Sequence, residues 1–214
     1  MKTELIAISK PVIPECQTAE DLLAYCARVS NPANQGKPGT KLIKHLLSEG
    51  HWSPLEMVHM VIGIETTRDI ARQILRHRSF SFQEFSQRYA EVMDFSPPRE
   101  ARLQDHKNRQ NSIKIDDEQL HAWWESEQKI QLVRVENLYK EALERGIAKE
   151  QARAILPEGL TNSRLYMAGT LRSWVHYCKL RMGNGTQLEH IEIAKSCWNI
   201  IKQEFSSFEG LLDV

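Results

Sequence analysis

The sequence has no surplus of charge of either sign, because its 28 lysines and arginines equal its 28 aspartates and glutamates. A protein that binds nucleic acid or another polyanion without specificity takes most of its affinity from an excess of basic residues. Glycine and proline are also scarce, with 10 and 8 residues among 214, while 41% of the residues are hydrophobic. These proportions argue against nonspecific polyanion binders, collagen-like chains and disordered chains, and they predict an ordinary globular protein.

Long hydrophobic runs are absent as well. The first ten residues contain no apolar stretch long enough for a signal peptide. The most apolar stretch, residues 58–64, is interrupted by His59 and is far too short to cross a bilayer. The sequence therefore predicts a soluble, cytoplasmic protein that does not bind membranes. Since no linker stands out, we expect a single domain over residues 1–214.

Cysteine is rare, and its spacing indicates no special chemistry. The four cysteines, at positions 16, 26, 178 and 197, include no C-x-x-C pair, and the eight histidines include no His-Glu-x-x-His sequence. Neither a disulfide framework nor a metal site is therefore expected. Cys178 falls inside a predicted helix beside Tyr177, where a packed thiol is a better interpretation than a nucleophile.

Hydrophobic periodicity predicts a chain in which helices dominate. Alternating apolar residues predict strands at 5–8 and 58–64. Apolar stripes at spacings of three and four predict a last helix with a capping box at Thr186 and Glu189, and further helices at 22–29, 40–49, 68–77, 118–146, 148–156 and 169–182. The sequence Thr18-Ala-Glu-Asp21 predicts a helix start before residues 22–29. Residues 94–118 form a long polar connection, of the kind that carries function or lies over a cleft. Strands that do not alternate with helices favour the α+β class, and the absence of a G-x-G-x-x-G sequence disfavours a Rossmann fold.

Positive charge is concentrated between residues 68 and 88. Arg68, Arg72 and Arg76 follow one another at intervals of four, which places three guanidinium groups on one face of the predicted helix. Each like-charge pair in such a row is unfavourable by roughly 0.2–0.5 kcal/mol. An anionic ligand would explain the row, whereas any single arginine is more simply explained by solvent or a distant carboxylate. Polar residues around Ser86 add hydrogen-bonding groups of the kind that hold a nucleotide.

A second group of basic residues comes later in the chain and includes Arg153, Arg172, His176 and Arg181. Arg172 and His176 share a helix face at a spacing of four. Arg181 stands just before residues 183–185, a Gly-Asn-Gly sequence whose flexible backbone permits a ligand to approach closely. We therefore predict that Arg181 is the residue directed at a substrate.

One motif in the first basic segment is specific. Arg76-His77-Arg78 is followed after seven residues by Ser86, and Arg88-Tyr89 comes next. This spacing resembles the signature of the flavin-dependent thymidylate synthases of the ThyX type. Further blocks in the family order extend the resemblance along most of the chain outside residues 94–145: Ala27-Arg28-Val29-Ser30, Gly50-His51-x-Ser53-Pro54-x-Glu56, Ala71-Arg72-Gln73, Ala152-Arg153-x-x-Leu156-Pro157, and Leu171-Arg172-Ser173 through Leu180-Arg181.

The resemblance implies an α+β fold, in which a curved antiparallel β-sheet packs with several α-helices and the C-terminal half is rich in helix. It also implies reductive methylation of dUMP to dTMP, with 5,10-methylenetetrahydrofolate as the carbon donor, NADPH as the reductant and FAD as the prosthetic group. No cysteine nucleophile is needed, because the uracil is activated electrostatically, and the position that matches the activating arginine is Arg181. Members of the family are homotetramers whose active sites combine residues of several subunits.

The same resemblance assigns binding residues position by position. The residues that match the family's dUMP site are Gln73, Arg76, Glu84, Ser86, Gln87, Arg88, Arg153 and Arg181. The residues that match its FAD site are Ser30, Ser53, Glu56, Arg76, His77, Arg78, Ser79, Thr170, Arg172 and His176. The chain departs from the family pattern at Gly185, where many members have a histidine, and at Thr170, where an asparagine is common. It also departs at Gln83 and Met57.

Two other interpretations stay open at this level. The arginine clusters are also compatible with an RNA-binding or nucleotide-binding module without catalysis, although a net charge of zero disfavours RNA. A third possibility, after the enzyme, is a family member that binds nucleotide but has lost catalysis. Bound FAD, which colours a protein yellow, distinguishes the enzyme from an RNA-binding module.

Overall fold

A four-stranded antiparallel sheet lies at the centre of the fold in the computed structural model, which describes residues 1–92 and 94–212. The strands in spatial order are β1 (Lys2–Ile8), β2 (His59–Thr67), β6 (Asn162–Thr170) and β3 (Ser81–Glu84). The two central strands, β2 and β6, pair over their whole length, with Ile62 opposite Met167. A separate hairpin consists of β4 (Arg102–Gln104) and β5 (Ser112–Lys114).

The described residues also form seven α-helices, and the predicted α+β class is confirmed. These helices are α1 (Ala19–Ala27), α2 (Thr40–Ser48), α3 (Arg68–Ile74), α4 (Glu118–Glu144), α5 (Lys149–Ala152), α6 (Leu171–Arg181) and α7 (Leu188–Glu204). A 3₁₀ segment at Ser53–Met57 precedes β2. Within the described ranges, no helix combines the length and the apolar content that crossing a bilayer requires.

The core lies between one face of the sheet and the helices. Ile62 and Leu165 of the sheet, Ile43 of α2, Trp174 of α6 and Ile201 of α7 are all fully buried in it. The opposite face of the sheet faces solvent and carries ion pairs beside the exposed Tyr166, since Arg164 of β6 pairs there with Glu4 of β1 at 2.6 Å and with Glu65 of β2 at 3.7 Å. One buried and one polar face is the usual arrangement of an antiparallel sheet.

Cys178 is buried in this core, as a packed thiol would be. Burial raises the pKa of its thiol well above the usual value, so that the reactive thiolate does not form near neutral pH.

Strand β6 is the main element that the sequence analysis missed. Its side chains alternate strictly, with Ser163, Leu165, Met167 and Gly169 on the buried side. Only two of these four are large apolar residues, so the alternation of hydrophobicity is weak. The helix predicted at 169–182 therefore begins too early. Helix α6 starts at Leu171, because the Thr170 hydroxyl accepts the N–H of Ser173 at 3.2 Å and caps it.

Two other predicted helix features are wrong, and one is confirmed. Helix α3 ends at Ile74, so Arg76 does not lie on it and the predicted three-arginine helix face does not form. Thr186 and Glu189 form no capping box, because α7 begins after Gln187 and Glu189 pairs instead with Arg102 of β4. The start predicted for α1 is confirmed as a capping box between Thr18 and Asp21.

Gly169 generates a prediction about packing beneath the Arg76-His77-Arg78 loop. A Cβ atom at Gly169 would lie 2.5 Å from Cδ1 of Phe80, whose ring packs against Trp174 with centroids 4.9 Å apart. Gly169→Ala should therefore displace the ring and lower the free energy of unfolding by about 1–3 kcal/mol, as measured by urea denaturation.

Gly159→Ala is the matched control, because its Cβ would meet only Nη1 of Arg99, at 4.0 Å. We expect its free energy of unfolding to change by less than about 1 kcal/mol. Unaltered stability of the Gly169→Ala protein would contradict the close packing of Phe80.

Candidate active site

The loop after α3 brings His77 to the end of α6, where Arg181 lies. Arg181 donates a hydrogen bond through Nε to Nε2 of His77, with the two atoms 2.8 Å apart. Because this bond engages only Nε, the two Nη groups of the guanidinium have no hydrogen bond to any described residue. Arg181 is half-buried, so a ligand can reach these Nη groups. Arg181, which the sequence predicts to contact a substrate, is thus held by His77, the middle residue of the Arg76-His77-Arg78 motif.

A row of buried polar groups continues from this pair. The ring of His77 packs edge-on against Tyr177, with centroids 4.9 Å apart. Tyr177 Oη lies 3.1 Å from Nε2 of His190, and Nδ1 of His190 lies 3.2 Å from Oε1 of Gln73. Gln73 in turn donates through Nε2 to Oε1 of Gln187 at 2.8 Å. The structure therefore brings two predicted nucleotide residues, Gln73 and Arg181, to one cluster.

Both imidazoles of this cluster are neutral at physiological pH. Burial, reinforced by the charge of Arg181, lowers the pKa of His77 to about 4 and that of His190 to about 3. A neutral His77 keeps the lone pair that accepts the hydrogen bond from Arg181, which a protonated ring could not do.

A second cluster lies around a cavity of about 400 Å³ on the other side of α3. Four of its lining residues are Arg68, Arg72, Arg153 and Gln87. Gln87 is 4% exposed, and its Nε2 atom has no hydrogen-bond partner among the described residues; the same holds for Nη1 of Arg68. A buried donor without an acceptor is rare in folded proteins, and the three arginines around the Gln87 amide favour an anion as its missing acceptor.

Carboxylates hold the arginines around this cavity. Arg72 Nε lies 2.6 Å from Glu158 Oε1, and Arg88 Nε lies 3.5 Å from Glu150 Oε2. The charge cluster predicted between residues 68 and 88 is therefore partly explained by carboxylate partners.

Strand β3 positions another part of the predicted nucleotide site. Glu84 at its end accepts a hydrogen bond from the hydroxyl of Ser163 at 2.8 Å and lies 3.5 Å from Arg68 Nη1. Ser86 follows in a tight turn, in which its carbonyl oxygen accepts the N–H of Tyr89 at 3.1 Å. The chain direction reverses there, which exposes Arg88 next to the cavity.

Part of the predicted flavin site is assembled at the start of α6. Arg172 donates through Nη1 to Oε1 of Glu56 at 2.9 Å, and Ser53 belongs to the same 3₁₀ segment as Glu56. Thr170 uses its hydroxyl to cap the helix, as described above.

The other predicted flavin residues are not joined to this group within one chain. Ser30 lies after α1, beside a separate surface depression, and it is exposed. Four further residues are exposed and have no side-chain hydrogen bond among the described residues: Arg76, Arg78, Ser79 and His176.

The hairpin of β4 and β5 lies over the loop that follows Arg181. Asn111 donates to the side chain of Asn184 at 2.8 Å and accepts the N–H of Gly185 at 3.1 Å. Gly185 has a φ of 88°, and a Cβ there would lie 2.8 Å from Oε1 of Gln110. The positive φ favours glycine and would strain the histidine that the family resemblance implies at this position, whereas the exposed end of Gln110 is a flexible group that could move aside.

The hairpin also lines a cavity of about 1220 Å³, together with α4 and residues 184–188. None of the residues assigned to the dUMP or FAD sites lines this cavity. The polar connection at 94–118 does lie over a cleft, as its composition indicates, but it contains two strands.

Sequence reasoning missed several polar residues of the site. His190, Tyr177 and Ser163 carry no motif, and Asn111 belongs to the segment without a family block. A signal exists for His190, because it shares a helix face with Ile193, Ala194 and Cys197 at spacings of three, four and seven. A histidine at the head of an apolar stripe predicts a buried ring, and a buried ring needs hydrogen-bond partners.

Comparison with known proteins identifies the family. The family model described as "Thymidylate synthase complementing protein" matches residues 12–206. The chain belongs to this family. The resemblance drawn from the Arg76-His77-Arg78 motif is thereby confirmed.

Relatives match over the whole chain. A probable flavin-dependent thymidylate synthase of Paramecium bursaria Chlorella virus 1 is 51% identical, covering 100% of this chain and 99% of the relative. A flavin-dependent thymidylate synthase of Synechocystis sp. is 47% identical, covering 100% of both. Among solved structures, a UMP/dUMP methylase, PolB from Streptomyces cacaoi bound with 5-Br dUMP, is similar with a TM-score of 0.80 and 24% identity over 100% of this chain and 97% of that one. At this identity the similarity shows the fold alone.

The two neutral imidazoles generate a prediction about stability in mild acid. Histidine in an unfolded chain has a pKa near 6.5, well above the folded values of about 4 for His77 and about 3 for His190. Between these limits the unfolded chain binds protons that the folded chain does not bind. The free energy of unfolding should therefore fall as the pH falls below about 6.5.

Urea unfolding at about pH 7.5 and about pH 5 measures this effect. We expect a lower midpoint at the lower pH, and a smaller difference for a His190→Leu protein. An equal difference for both proteins would show that His190 does not contribute.

Proposed function

We propose that this protein is a flavin-dependent thymidylate synthase, formed by a single domain, that methylates dUMP to dTMP. The carbon comes from 5,10-methylenetetrahydrofolate and the reducing equivalents come from NADPH. The observation that carries the proposal is the position of Arg181, whose guanidinium is held through Nε by a neutral His77 while its Nη groups stay available.

Arg181 is suited to activate the uracil without a covalent nucleophile. Methylation at C5 requires electron density there, and the uracil ring supplies that density when it carries partial negative charge before the new bond forms. A guanidinium that is already oriented stabilises this charge without a reorganisation cost. Because His77 is neutral, it orients Arg181 without adding a second charge. The buried state of Cys178 also fits a mechanism that needs no thiolate.

The cavity around Gln87 and Arg153 suits the phosphate of dUMP. Nε2 of Gln87 is buried there without a hydrogen-bond partner among the described residues, and Nη1 of Arg68 is buried 3.5 Å from the Glu84 carboxylate without a hydrogen bond. A phosphate supplies several acceptor oxygens to such donors, and each charge-assisted bond contributes about 1.5–3 kcal/mol. We infer that Ser86, Arg88 and Arg153 also bind the nucleotide, together with Glu84 and Arg76.

The residues at the start of α6 suit FAD. Glu56 holds Arg172 through Nη1, which leaves other N–H groups of this guanidinium available to the diphosphate. We infer that FAD binds these residues together with Ser53, Arg78 and His176, and that Ser30 reaches it from another subunit. When bound, FAD supplies the redox chemistry that a reductive methylation requires.

A homotetramer would complete the site. Ser30 lies apart from the other flavin residues within one chain, and α4 exposes Trp123, Ile130 and Val133, which are 55%, 60% and 59% exposed. Large apolar side chains that share an exposed helix face are typical of interfaces between subunits.

The visible absorption spectrum of the purified protein with added FAD tests the proposal. We expect a flavin band that shifts when dUMP is titrated, because both ligands should bind in one site. A protein that binds no flavin at saturating FAD would contradict the proposal. Colourless protein with strongly salt-dependent RNA binding would favour the nucleic-acid alternative instead.

Replacement of Arg181 tests the mechanism. Arg181→Ala should lower dTMP formation at least about a hundredfold, the effect of removing one preorganised electrostatic group, while the protein stays folded. The control is Arg145→Ala, because Arg145 is 73% exposed at the end of α4 and pairs only with Glu141 among the described residues. We expect full activity for the control. Unreduced activity of the Arg181→Ala protein would overturn the assigned role.

A further inference from the structure

The side-chain amide of Gln73 is held by two residues at the beginning of α7. Its Nε2 donates to Gln187 at 2.8 Å, and its Oε1 lies 3.2 Å from Nδ1 of His190. An amide oxygen can only accept, so the hydrogen of the second bond belongs to His190 Nδ1. The neutral ring then has its lone pair on Nε2, which accepts the O–H of Tyr177 at 3.1 Å. Tyr177 therefore donates to His190, His190 donates to Gln73, and Gln73 donates to Gln187.

Tyr177 links this row to Arg181. The two residues lie four apart on α6, and His77, which accepts the hydrogen bond from Arg181, packs against the Tyr177 ring. The same group of rings therefore supports both Gln73 and Arg181.

Packing alone would not select a histidine at position 190. The ring is 0% exposed and continues the apolar face of α7, where a leucine of similar volume would avoid the desolvation of two ring nitrogens. What distinguishes His190 from such a leucine is the Nδ1–H group. Without it, the amide of Gln73 could rotate by half a turn and exchange its oxygen and nitrogen atoms.

We propose that His190 is a positioning residue whose Nδ1–H holds the amide of Gln73 in one orientation, so that Gln73 presents the same donor and acceptor to every incoming pyrimidine nucleotide. This inference rests on the proposed function, because it requires that Gln73 binds the nucleotide. His190 is buried and acts through Gln73.

Two substitutions of His190 separate positioning from packing. His190→Leu keeps the volume of the ring but removes the donor. His190→Asn leaves a small cavity but keeps an N–H donor close to the position of Nδ1. We expect the dissociation constant for dUMP, measured from the flavin absorption of the FAD-loaded protein, to rise roughly tenfold for His190→Leu and less than about threefold for His190→Asn.

The steady-state constants provide a second readout. KM for dUMP should rise in the His190→Leu protein by a larger factor than kcat falls, since the substitution leaves Arg181 in place. If His190 only packed, dUMP affinity would follow stability, and the Asn variant would bind dUMP no better than the Leu variant. That order of affinities would overturn the proposal.

A double-mutant cycle shows whether His190 acts through Gln73. In a Gln73→Ala background, His190→Leu should weaken dUMP binding by less than about twofold, because the amide that it orients is gone. An undiminished effect in this background would also overturn the proposal.

Tyr177→Phe keeps the test decisive if His190→Leu fails to fold. It preserves the ring and removes only the O–H that donates to His190 Nε2, so we expect dUMP affinity to fall by about threefold, an effect that vanishes in a Gln73→Ala background.

The unmodified protein separates failure of the positioning role from failure of the proposed function. If it binds FAD and responds to dUMP while the substitutions change nothing, the positioning role is wrong and the proposed function stands. If it shows no response to dUMP, the proposed function fails and the inference fails with it.

Discussion

The hydrogen bond from Arg181 to His77 joins two parts of the chain that are far apart in sequence, and its geometry depends on the central strands of the sheet. His77 comes after β2 and α3, and Arg181 comes at the end of α6, directly after β6. Strands β2 and β6 pair over nine residues without a shift in register. This pairing sets the positions of both helix starts, and the packing of α3 and α6 then brings the Arg181 and His77 nitrogens to 2.8 Å. A slip of the register by one residue would exchange the buried and exposed sides of a strand and separate the two side chains.

The loop after Arg181 is held from outside the core. Asn111 of the hairpin segment bonds both Asn184 and Gly185, and Arg102 of β4 pairs with Glu189 of α7 in a largely buried contact. The contacts of Asn111 and Arg102 hold the segment between Arg181 and His190 from the solvent side. The hydrogen bonds that run from Tyr177 to Gln187 hold it from the core. Gly185 supplies the positive φ of this loop, and its N–H donates to Asn111 of the hairpin segment, so the departure from the family pattern there and the hairpin are parts of one local arrangement.

Sequence periodicity predicted the elements that are strongly amphipathic or well capped, and motif spacing predicted Arg181 and His77 as site residues. Local sequence patterns fail where contacts between distant parts of the chain decide the local structure. Thr186 and Glu189 have the spacing of a capping box, yet Arg102 competes for the carboxylate through a contact across 87 positions, which no local pattern contains. Arg76 continues the spacing of Arg68 and Arg72, but α3 ends before it. Tyr177 and His190 were missed because a buried polar residue is recognised by its partners, and the partners come from three separate helices.

The abundance of paired arginines does not argue against an anionic ligand. Arg72 and Arg88 pair with Glu158 and Glu150, and all four side chains are about half exposed. Exposed pairs of this kind contribute between about 0 and 1 kcal/mol, because solvent screens them. A charge-assisted hydrogen bond to a phosphate oxygen in a buried cavity contributes about 1.5–3 kcal/mol, and the buried amide donor of Gln87, which has no partner among the described residues, gains most. The carboxylates thus reduce the repulsion between the arginines, and they are too weakly bound to prevent the arginines from turning to a phosphate.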